Sequence, residues 1–524
     1  MKQLMGTHPD GHPDAIGRRT LLRTGAAAIL GVGVGAGLGT ALTRSPGAGL
    51  WARPDRRGAP PVSGLHLQFG KNAATEVVVS WHTTDAVNNP RVLLGLPTAG
   101  FGRTVQAQTR VYRDAKSGIE VRVNHAVLDN LEPDTDYVYA AVHDGTSPEL
   151  GTVRTAPSGR KPLCFTSFGD QATPTLNRLV DGRYLSDNLG SPAAGDIVAA
   201  IERIGPLFNL VNGDLCYANL ARDRVRTWSD WFDNNSRSAR YRPWMPAPGN
   251  HENESGNGPV GFAAYQTYFA LPDSGADPEV QGLWYSFTAG PVRVISLSGD
   301  DVCYQDGGNF YVHGYSGGAQ KRWLENELAD AQRDPQVDWV VVCMHQTAFS
   351  TANHTNGADL GIRQQWLPLF DRYQVDLVLC GHEHHYERAH PVRGALDNAT
   401  RTPIPVDTTA DVVDSRAGTV HVVIGGGGTS IPSNTLFFPE PRCRVLTGVG
   451  GFDPALGRKA PRYVVEEAPW SAFRDRDHPY GFAAFQVDPG SPGGSTSITA
   501  THYAVDGPYG AISVVDRFTL AKPR

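Results

Sequence analysis

The chain has 524 residues, of which 40% are hydrophobic, and a formal net charge of −6. A chain of this length is too long for one compact core, so we expect two globular domains with tails. Lysine and arginine are not concentrated in any stripe, and this excludes nucleic acid as an expected partner. The 59 glycines and 38 prolines indicate many turns, as in β-rich or α/β proteins.

The first predicted element is an export signal over residues 1–45. Arg18 and Arg19 precede an uncharged run of alanine and glycine from Gly25 to Thr43, which is typical of twin-arginine signals. A transmembrane anchor is the alternative, but the repeated glycines make this run only weakly apolar. We therefore expect an exported protein, secreted or associated with the cell envelope, without stable membrane insertion after signal removal. The cleavage position and the oligomeric state stay open.

A linker and a β-domain follow the signal. Residues 46–60 are rich in proline, glycine and arginine, which predicts a linker. From 61 to 157, short β-branched runs separated by turns predict an all-β sandwich with strands over 76–81, 91–94, 121–128 and 137–142. The sequence of this domain offers no cluster of histidines and carboxylates. It is therefore interpreted as either a structural or a binding module.

The predicted second domain spans residues 160–522. Apolar strand-like runs alternate there with amphipathic helices over 193–204, 319–332 and 362–373, which predicts layered α/β structure. Two further segments, 391–418 and 432–470, are rich in proline, arginine, aspartate and glycine. We expect both to be surface insertions.

The six cysteines are too few for a disulfide scaffold in a chain of this size. Cys343 and Cys380 lie in apolar runs and are expected to be buried thiols. Cys303 and Cys443 lie in predicted loops, and the sequence leaves open whether they pair.

Five apolar runs of the second domain end at polar residues that can bind a metal. These ends are Gly169-Asp170, Gly213-Asp214, Gly249-Asn250, His345 and Gly381-His382. Ligands of α/β sheets bind beyond the carboxyl ends of strands, so the five ends are expected to meet at one rim. Taken alone, Asp170 is typical of a turn, His345 of a core and Asn250 of a helix cap. Their repetition in one pattern favours a shared site.

The candidate metal ligands are mixed oxygen and nitrogen donors: Asp170, Asp214, Tyr217, Asn250, His345, His382 and His384. This set is too large for one tetrahedral zinc ion. It suits two ions, roughly 3.5–4 Å apart, that share a bridging carboxylate. Asp214 is the natural bridge, because Tyr217 lies three residues later and can reach one ion from the same turn.

The ordered motifs GD, GDxxY, GNHE, a strand-end histidine and GHxHxYER resemble the purple acid phosphatase branch of the calcineurin-like metallophosphoesterases over most of residues 160–390. The segments 421–428 (HVVIGGGG) and 471–474 (SAFR) are also similar to that family. Trp81 and the approach to Tyr137 resemble a fibronectin type III sandwich with its tyrosine corner. The resemblance implies such a sandwich followed by two mixed β-sheets packed together and flanked by helices.

The resemblance also implies ligands and activity. Fe(III) would be held by Asp170, Tyr217 and His384. A divalent Fe, Zn or Mn ion would be held by Asn250, His345 and His382, and Asp214 would bridge the two ions. His251 and His354 would face a small phosphorylated substrate, and Glu252 and Arg388 would support the site. The implied activity is acid phosphatase hydrolysis of monoesters by a metal-bound hydroxide, with phosphodiesterase or pyrophosphatase activity at the same site as the alternative. The chain departs from the family at Gln171-Ala172, where a second glycine is usual, and at Thr355, where many members have a histidine.

Two other classes of function compete with this interpretation. Residues 314–318 (GYSGG) fit the G-x-S-x-G pattern of a serine esterase with Ser316 as nucleophile. The preceding segment 306–313 is too polar and short for a buried strand, so Ser316 is predicted to lie in a turn before a helix. A cell-surface binding protein with an inert phosphatase domain is the third hypothesis, and it predicts neither bound metal nor turnover.

Overall fold

The structure is a computed structural model that describes residues 58–173, 178–180, 183–185, 189–254, 259–304, 313–409, 411–455, 458–507 and 511–524. The predicted twin-arginine signal and residues 46–57 of the predicted linker lie outside the described residues. None of the helices within these ranges is long and apolar enough to cross a membrane.

The strands, numbered in chain order, are β1 Ser63–Phe69, β2 Val77–Thr83, β3 Arg91–Leu96, β4 Gly100–Gln106, β5 Gln108–Arg113, β6 Glu120–Leu128, β7 Asp136–Val142, β8 Glu149–Arg154, β9 Leu163–Phe168, β10 Arg178–Val180, β11 Arg183–Leu185, β12 Phe208–Val211, β13 Trp244–Pro246, β14 Tyr285–Ala289, β15 Val292–Ser296, β16 Trp339–Cys343, β17 Ala358–Asp359, β18 Leu377–Cys380, β19 Tyr386–Ala389, β20 Val392–Ala395, β21 Pro403–Pro405, β22 Val412–Asp414, β23 Val420–Ile424, β24 Arg442–Asp453, β25 Arg458–Glu467, β26 Ser471–Arg474, β27 Gly481–Asp488, β28 Ser495–Val505 and β29 Ile512–Pro523. The α-helices are Ala193–Ile204, Arg224–Ala239, Ala263–Tyr268, Ala319–Arg333, Leu360–Gln365 and Leu367–Arg372.

The N-terminal part is the expected β-sandwich. Its two antiparallel sheets have the strand orders β1-β2-β6-β5 and β4-β3-β7-β8. Trp81 is fully buried, and the hydroxyl of Tyr137 accepts the backbone N–H of Glu132 at 2.9 Å, which is the tyrosine corner. Strands β4 and β5 were not among the predicted strands, because most of their side chains are exposed and form no apolar run.

Two seven-stranded mixed sheets form the α/β part, as expected for the fold class. Their strand orders are β13-β12-β9-β27-β28-β29-β22 and β14-β15-β16-β18-β23-β19-β26. Alternate side chains of β16 explain the layering: Val341 and Cys343 pack in the core between the sheets, while Val340 and Val342 pack in a second core with the helices. Such strands are covered on both faces and are therefore continuously apolar.

Two predicted helices are present, and the third is divided. Ala193–Ile204 has the predicted bounds, and Ala319–Arg333 ends one residue later than expected. The helix predicted over 362–373 is instead Leu360–Gln365 followed by Leu367–Arg372. Proline at 368 explains the division, because it has no N–H to donate and is tolerated only in the first turn of a new helix.

The expectation that 432–470 is only a surface insertion is wrong. This segment contains the antiparallel hairpin of β24 and β25. The base of the hairpin belongs to the second core, where Cys443, Val445 and Trp470 are fully buried, whereas Phe452 near its tip is 61% exposed. No disulfide joins Cys443 to Cys303, and Cys343 and Cys380 are the buried thiols that were expected.

The sandwich and the α/β part share one hydrophobic core. The ring of His66 on β1 stacks on Phe232 of the helix Arg224–Ala239, with centroids 4.5 Å apart. Its Nε2 lies 2.9 Å from the carbonyl oxygen of Tyr268, and Nε2 of His125 on β6 lies 3.0 Å from the carbonyl oxygen of Thr267. Packing and polar contacts therefore both fix the sandwich against the α/β part.

Candidate metal centre

The strand order brings the five predicted strand ends to one rim. Strands β9, β12 and β13 are parallel neighbours in one sheet, and β16 and β18 are parallel neighbours in the other. The loops that follow them are joined across the two sheets, because the backbone N–H of His382 donates to Asp170 Oδ2 at 2.8 Å. The predicted convergence beyond the carboxyl ends of the strands is therefore present.

One half of the centre surrounds His345. Nε2 of this histidine lies 3.0 Å from Asp214 Oδ2, 3.1 Å from Asn250 Oδ1 and 3.1 Å from His382 Nδ1. Candidate ligand atoms of Asp214, His345 and His382 all lie within 4.8 Å of one another, and the three side chains are buried.

The other half of the centre surrounds the hydroxyl of Tyr217. This oxygen lies 3.4 Å from Asp170 Oδ1 and 3.1 Å from His384 Nε2. Nε2 of His384 is 3.4 Å from the same Asp170 oxygen. The structure thus brings all seven predicted ligands together, in the two groups that the resemblance implied.

Two of the candidate histidines turn Nε2 towards the centre. Nδ1 of His345 lies 2.7 Å from the carbonyl oxygen of Asn212, and Nδ1 of His384 lies 2.7 Å from that of Ile431. A carbonyl oxygen only accepts, so each Nδ1 carries a proton, and each Nε2 would present its lone pair to a metal ion that displaces a proton from it. Histidines that bind metals are held in this way.

Each aspartate divides its two oxygens between the backbone and the centre. Asp170 Oδ2 accepts the N–H of His382 at 2.8 Å, which leaves Oδ1 for Tyr217 and His384. Asp214 Oδ1 accepts the N–H of His251 at 2.9 Å, which leaves Oδ2 for His345. The carboxylates are therefore oriented by the backbone before any ligand binds.

Electrostatics favours a cation at this place. Burial opposes charge on Asp214, but the imidazoles of His345 and His251 outweigh burial and hold the pKa of its carboxyl well below the ordinary value. Burial also disfavours a charged His345, yet the carboxylates of Asp214 and Asp170 raise its pKa to about 10. The candidate donor atoms of Asp214, His345 and His382 lie about 3 Å apart, and their surroundings stabilise positive charge. Both properties fit a site for a pair of metal ions.

The ligand-bearing backbone is held in an uncommon conformation. Asp170, Asp214, Tyr217 and His382 have φ angles of 56°, 52°, 58° and 74°, in the left-handed region. Non-glycine residues there are strained and are found at functional sites. Gly249 is required for a different reason, since a side chain on it would collide with the amide and carboxylate of Asp214.

The two histidines that the resemblance places towards a substrate lie beside the centre. Nδ1 of His251 is 2.9 Å from Asn219 Oδ1, and its Nε2 is 3.9 Å from Asp214 Oδ2. His354 has a left-handed φ of 62° and lines a cavity of about 320 Å³ together with His382. Arg388, expected to support the site, forms an ion pair with Asp516 at 2.7 Å.

Sequence reasoning missed the residues that orient the centre. The carbonyl oxygen of Asn212 accepts a hydrogen bond from Nδ1 of His345. The position of Asn212 directly before Gly213-Asp214 was the sequence signal that could have identified it. It also missed Arg444 and Tyr463, which line the same cavity as His354 from the β24–β25 hairpin. They lie far along the chain in a segment without strand-end motifs.

Ser316 does not form a nucleophile elbow. It lies in the turn before the helix Ala319–Arg333, as predicted, and its hydroxyl donates to Asp301 Oδ2 at 2.6 Å. The nucleophilic serine of a G-x-S-x-G esterase is activated by a histidine base, and the partner of Ser316 is a carboxylate instead. The geometry therefore does not support the serine esterase hypothesis.

Residues 62–155 match the family described as "Purple acid Phosphatase, N-terminal domain", and residues 186–386 match "Calcineurin-like phosphoesterase". The chain is 74% identical to the uncharacterized protein Rv2577 of Mycobacterium tuberculosis over 98% of both chains. It is 27% identical to the purple acid phosphatase of Glycine max over 70% of this chain and 72% of that one. It is 26% identical to the Fe(3+)-Zn(2+) purple acid phosphatase 12 of Arabidopsis thaliana over 72% of this chain and 74% of that one.

Solved structures share the fold at low identity. The purple acid phosphatase PPD1 of yellow lupin superposes with a TM-score of 0.64 and 21% identity, over 88% of this chain and 74% of that one. The chain belongs to the calcineurin-like phosphoesterases, a hydrolase family, and carries the N-terminal domain of the purple acid phosphatases.

Proposed function

We propose that the protein is a metal-dependent acid phosphatase that hydrolyses phosphate monoesters at a dinuclear centre. The observation that carries the proposal is the convergence of seven donor side chains, with Nε2 of His345 and of His384 turned inward by backbone carbonyls. Relatives named as purple acid phosphatases support the same reaction class.

The two groups of side chains support a site for two metal ions. Asp170, Tyr217 and His384 would hold Fe(III), because a phenolate and a carboxylate are hard anionic donors. Asn250, His345 and His382 would hold a divalent Fe, Zn or Mn ion, and Asp214, whose Oδ2 lies 3.0 Å from His345 Nε2, would bridge the two ions. Bound cations would polarise the phosphoryl oxygens and lower the pKa of water.

The remaining work belongs to His251 and His354. His251 is oriented by Asn219, and its ring packs on Tyr217 with centroids 4.3 Å apart. His354 is directed by its left-handed backbone into the cavity next to His382. We assign them to hydrogen bonding of phosphoryl oxygens and to protonation of the departing alkoxide, as expected of imidazoles.

The place of action is also proposed. Arg18, Arg19 and the alanine- and glycine-rich run that follows support export by the twin-arginine route. That route carries folded proteins, so the centre would be assembled with its metals before export. The substrate would then be a small phosphorylated molecule met outside the cytoplasm or in the cell envelope.

Metal content, a visible spectrum and turnover of phenyl phosphate by freshly purified protein test the proposal. We expect two metal ions per chain and an absorption band that disappears in Tyr217→Phe, because the phenolate would bind iron. Asp214→Ala and His382→Ala should lose both metal and turnover. His390→Ala is the matched control, since this neighbouring histidine was not assigned to the centre, and it should retain both.

The competing hypotheses give different results. Chelator-resistant activity lost in Ser316→Ala would indicate a serine esterase. Protein without metal and without turnover, even after reconstitution, would indicate a binding protein with an inert phosphatase domain. Full activity of Asp214→Ala would refute the metal assignment.

A further inference from the structure

A polar cavity of about 320 Å³ opens beside the metal centre. It is lined by His354, Asn356 and His382 and, from the β24–β25 hairpin, by Arg444 and Tyr463. A volume of this size admits a small organic group. A leaving group that enters this cavity from a phosphoryl group at the metal centre would approach the hairpin.

Arg444 supplies positive charge to this cavity. One of its terminal nitrogens donates to the carbonyl oxygen of Thr355 at 2.9 Å, and its guanidinium lies over the ring of Tyr463, 3.6 Å from the centroid. Across the parts of the chain that the structure describes, no carboxylate forms an ion pair with it. A guanidinium has five N–H donors, so donors stay available for an anion.

The carboxylate that lines the same cavity is already satisfied by backbone amides. Asp359 accepts the N–H of Tyr304 at 2.8 Å and that of Gly361 at 2.7 Å. The second of these bonds caps the helix Leu360–Gln365, where the helix dipole stabilises negative charge. Asp359 therefore keeps its negative charge but directs its oxygens at backbone amides rather than at Arg444.

Arg444 is also held rigidly. The preceding residue, Cys443, is fully buried, and its sulfur contacts Nη2 of the buried Arg363 at 3.4 Å. Arg363 forms an ion pair at 2.7 Å with Glu466, which pairs with Cys443 across the hairpin. Tyr463 pairs with Leu446, two residues after Arg444, which explains why the tyrosine ring lies diagonally under the guanidinium.

From this geometry we propose that Arg444 is a specificity residue that selects phosphate monoesters whose leaving group carries a second oxyanion, a carboxylate or another phosphate. The inference rests on the proposed phosphatase function and names the substrate class of that site. Arg444 would bind the oxyanion through charge-assisted hydrogen bonds, for which the planar guanidinium is suited. Tyr463 would hold the guanidinium in place through its ring face.

Paired esters test this proposal. Metal-loaded wild type and Arg444→Gln are compared on phenyl phosphate and on 4-carboxyphenyl phosphate, which differ by the second anion. We expect Arg444→Gln to lower kcat/KM for the carboxylated ester about tenfold more than for phenyl phosphate, mainly through KM. Arg462→Gln is the control, because Arg462 is exposed on the neighbouring strand β25 and is not among the residues that line the cavity, and it should leave the ratio unchanged.

Binding without chemistry gives a second measurement. In calorimetric titrations, wild type should bind 4-carboxyphenylphosphonate about tenfold more tightly than phenylphosphonate. Arg444→Gln should bind the two compounds equally. Equal losses on both esters, or an unchanged ratio, would overturn the role of Arg444 while the phosphatase function stands. Absence of turnover of either ester by metal-loaded wild type would overturn both proposals.

Discussion

Glu252 binds the backbone amide of Asp214, with a distance of 2.8 Å between Oε2 and the nitrogen. The same carboxylate accepts the N–H of Leu215 at 2.8 Å and that of Gly249 at 2.8 Å. One buried side chain thus ties the loop after β12 to the loop after β13 and orients the proposed bridging carboxylate without touching a metal.

Glu252→Gln should weaken metal binding. A glutamine presents an NH₂ group to amides that can only donate, so at least one buried N–H would lose its acceptor. We expect a loss of about 1–3 kcal/mol in stability and roughly 10–100-fold in metal affinity. Equilibrium dialysis with metal analysis and thermal unfolding measure the two effects.

Glu254→Gln is the matched control for that variant. Glu254 is also buried, but its side chain accepts the indole N–H of Trp228 at 2.6 Å and, among the described residues, forms no hydrogen bond to the ligand loops. It should lower stability without changing metal affinity. Equal metal affinity in Glu252→Gln and wild type would contradict the orienting role of Glu252.

Gly249→Ala should disturb the same loop by a steric effect. The added Cβ would collide with the amide and carboxylate of Asp214, so the loop must shift. We expect a loss of about 1–3 kcal/mol in the free energy of unfolding, together with reduced metal occupancy. Gly448→Ala on the hairpin meets no atom within 4 Å and should be neutral in both measurements.

The proposed proton donation can be tested with leaving groups of different basicity. If His251 or His354 protonates the departing oxygen, its replacement by asparagine should lower kcat far more for an alkyl phosphate than for a nitrophenyl phosphate. General acids contribute about 10²–10⁴-fold to such steps. A loss that is equal for both substrates would assign the histidine to phosphate binding alone.

Acid should weaken the contact between the sandwich and the α/β part. Burial lowers the pKa of His66 to about 4 and those of His82 and His125 to about 3. These imidazoles are neutral in the folded chain but titrate near 6.5 when unfolded, so the unfolded state binds more protons between pH 6.5 and about 4. Stability is therefore complete above pH 6.5 and falls as the pH decreases through this window.

The size of the effect follows from the number of buried histidines. Each contributes up to about 1.4 kcal/mol per pH unit to the free energy of unfolding. Denaturant unfolding between pH 7 and 4.5 measures the slope, and His82→Leu should make it shallower because leucine does not titrate. His421 and His502, also buried with pKa values lowered to about 3, act in the same direction and stay in the variant. An unchanged slope in His82→Leu would rule out this explanation.

The sequence was sufficient for the fold class and for the convergence of the seven candidate ligands, because each motif follows an apolar strand end. It was insufficient for the helix Arg224–Ala239, whose polar composition hid the helical spacing of Trp228, Trp231 and Phe232. It also did not reveal Arg444, since the pairing of β24 with β25 and the approach to His354 depend on contacts between distant segments. The metal assignment and the roles of His251 and His354 stay predictions.

The common core of the sandwich and the α/β part has a consequence for modularity. Phe232 and Tyr268 pack on His82, and Phe232 also packs on His66, so cutting the chain between the two parts would bare an aromatic surface. Such a fragment would be prone to aggregate. The β-sandwich is therefore an integral part of the folded protein. An unrelated domain could replace it only if that domain presented a similar apolar surface with buried histidines.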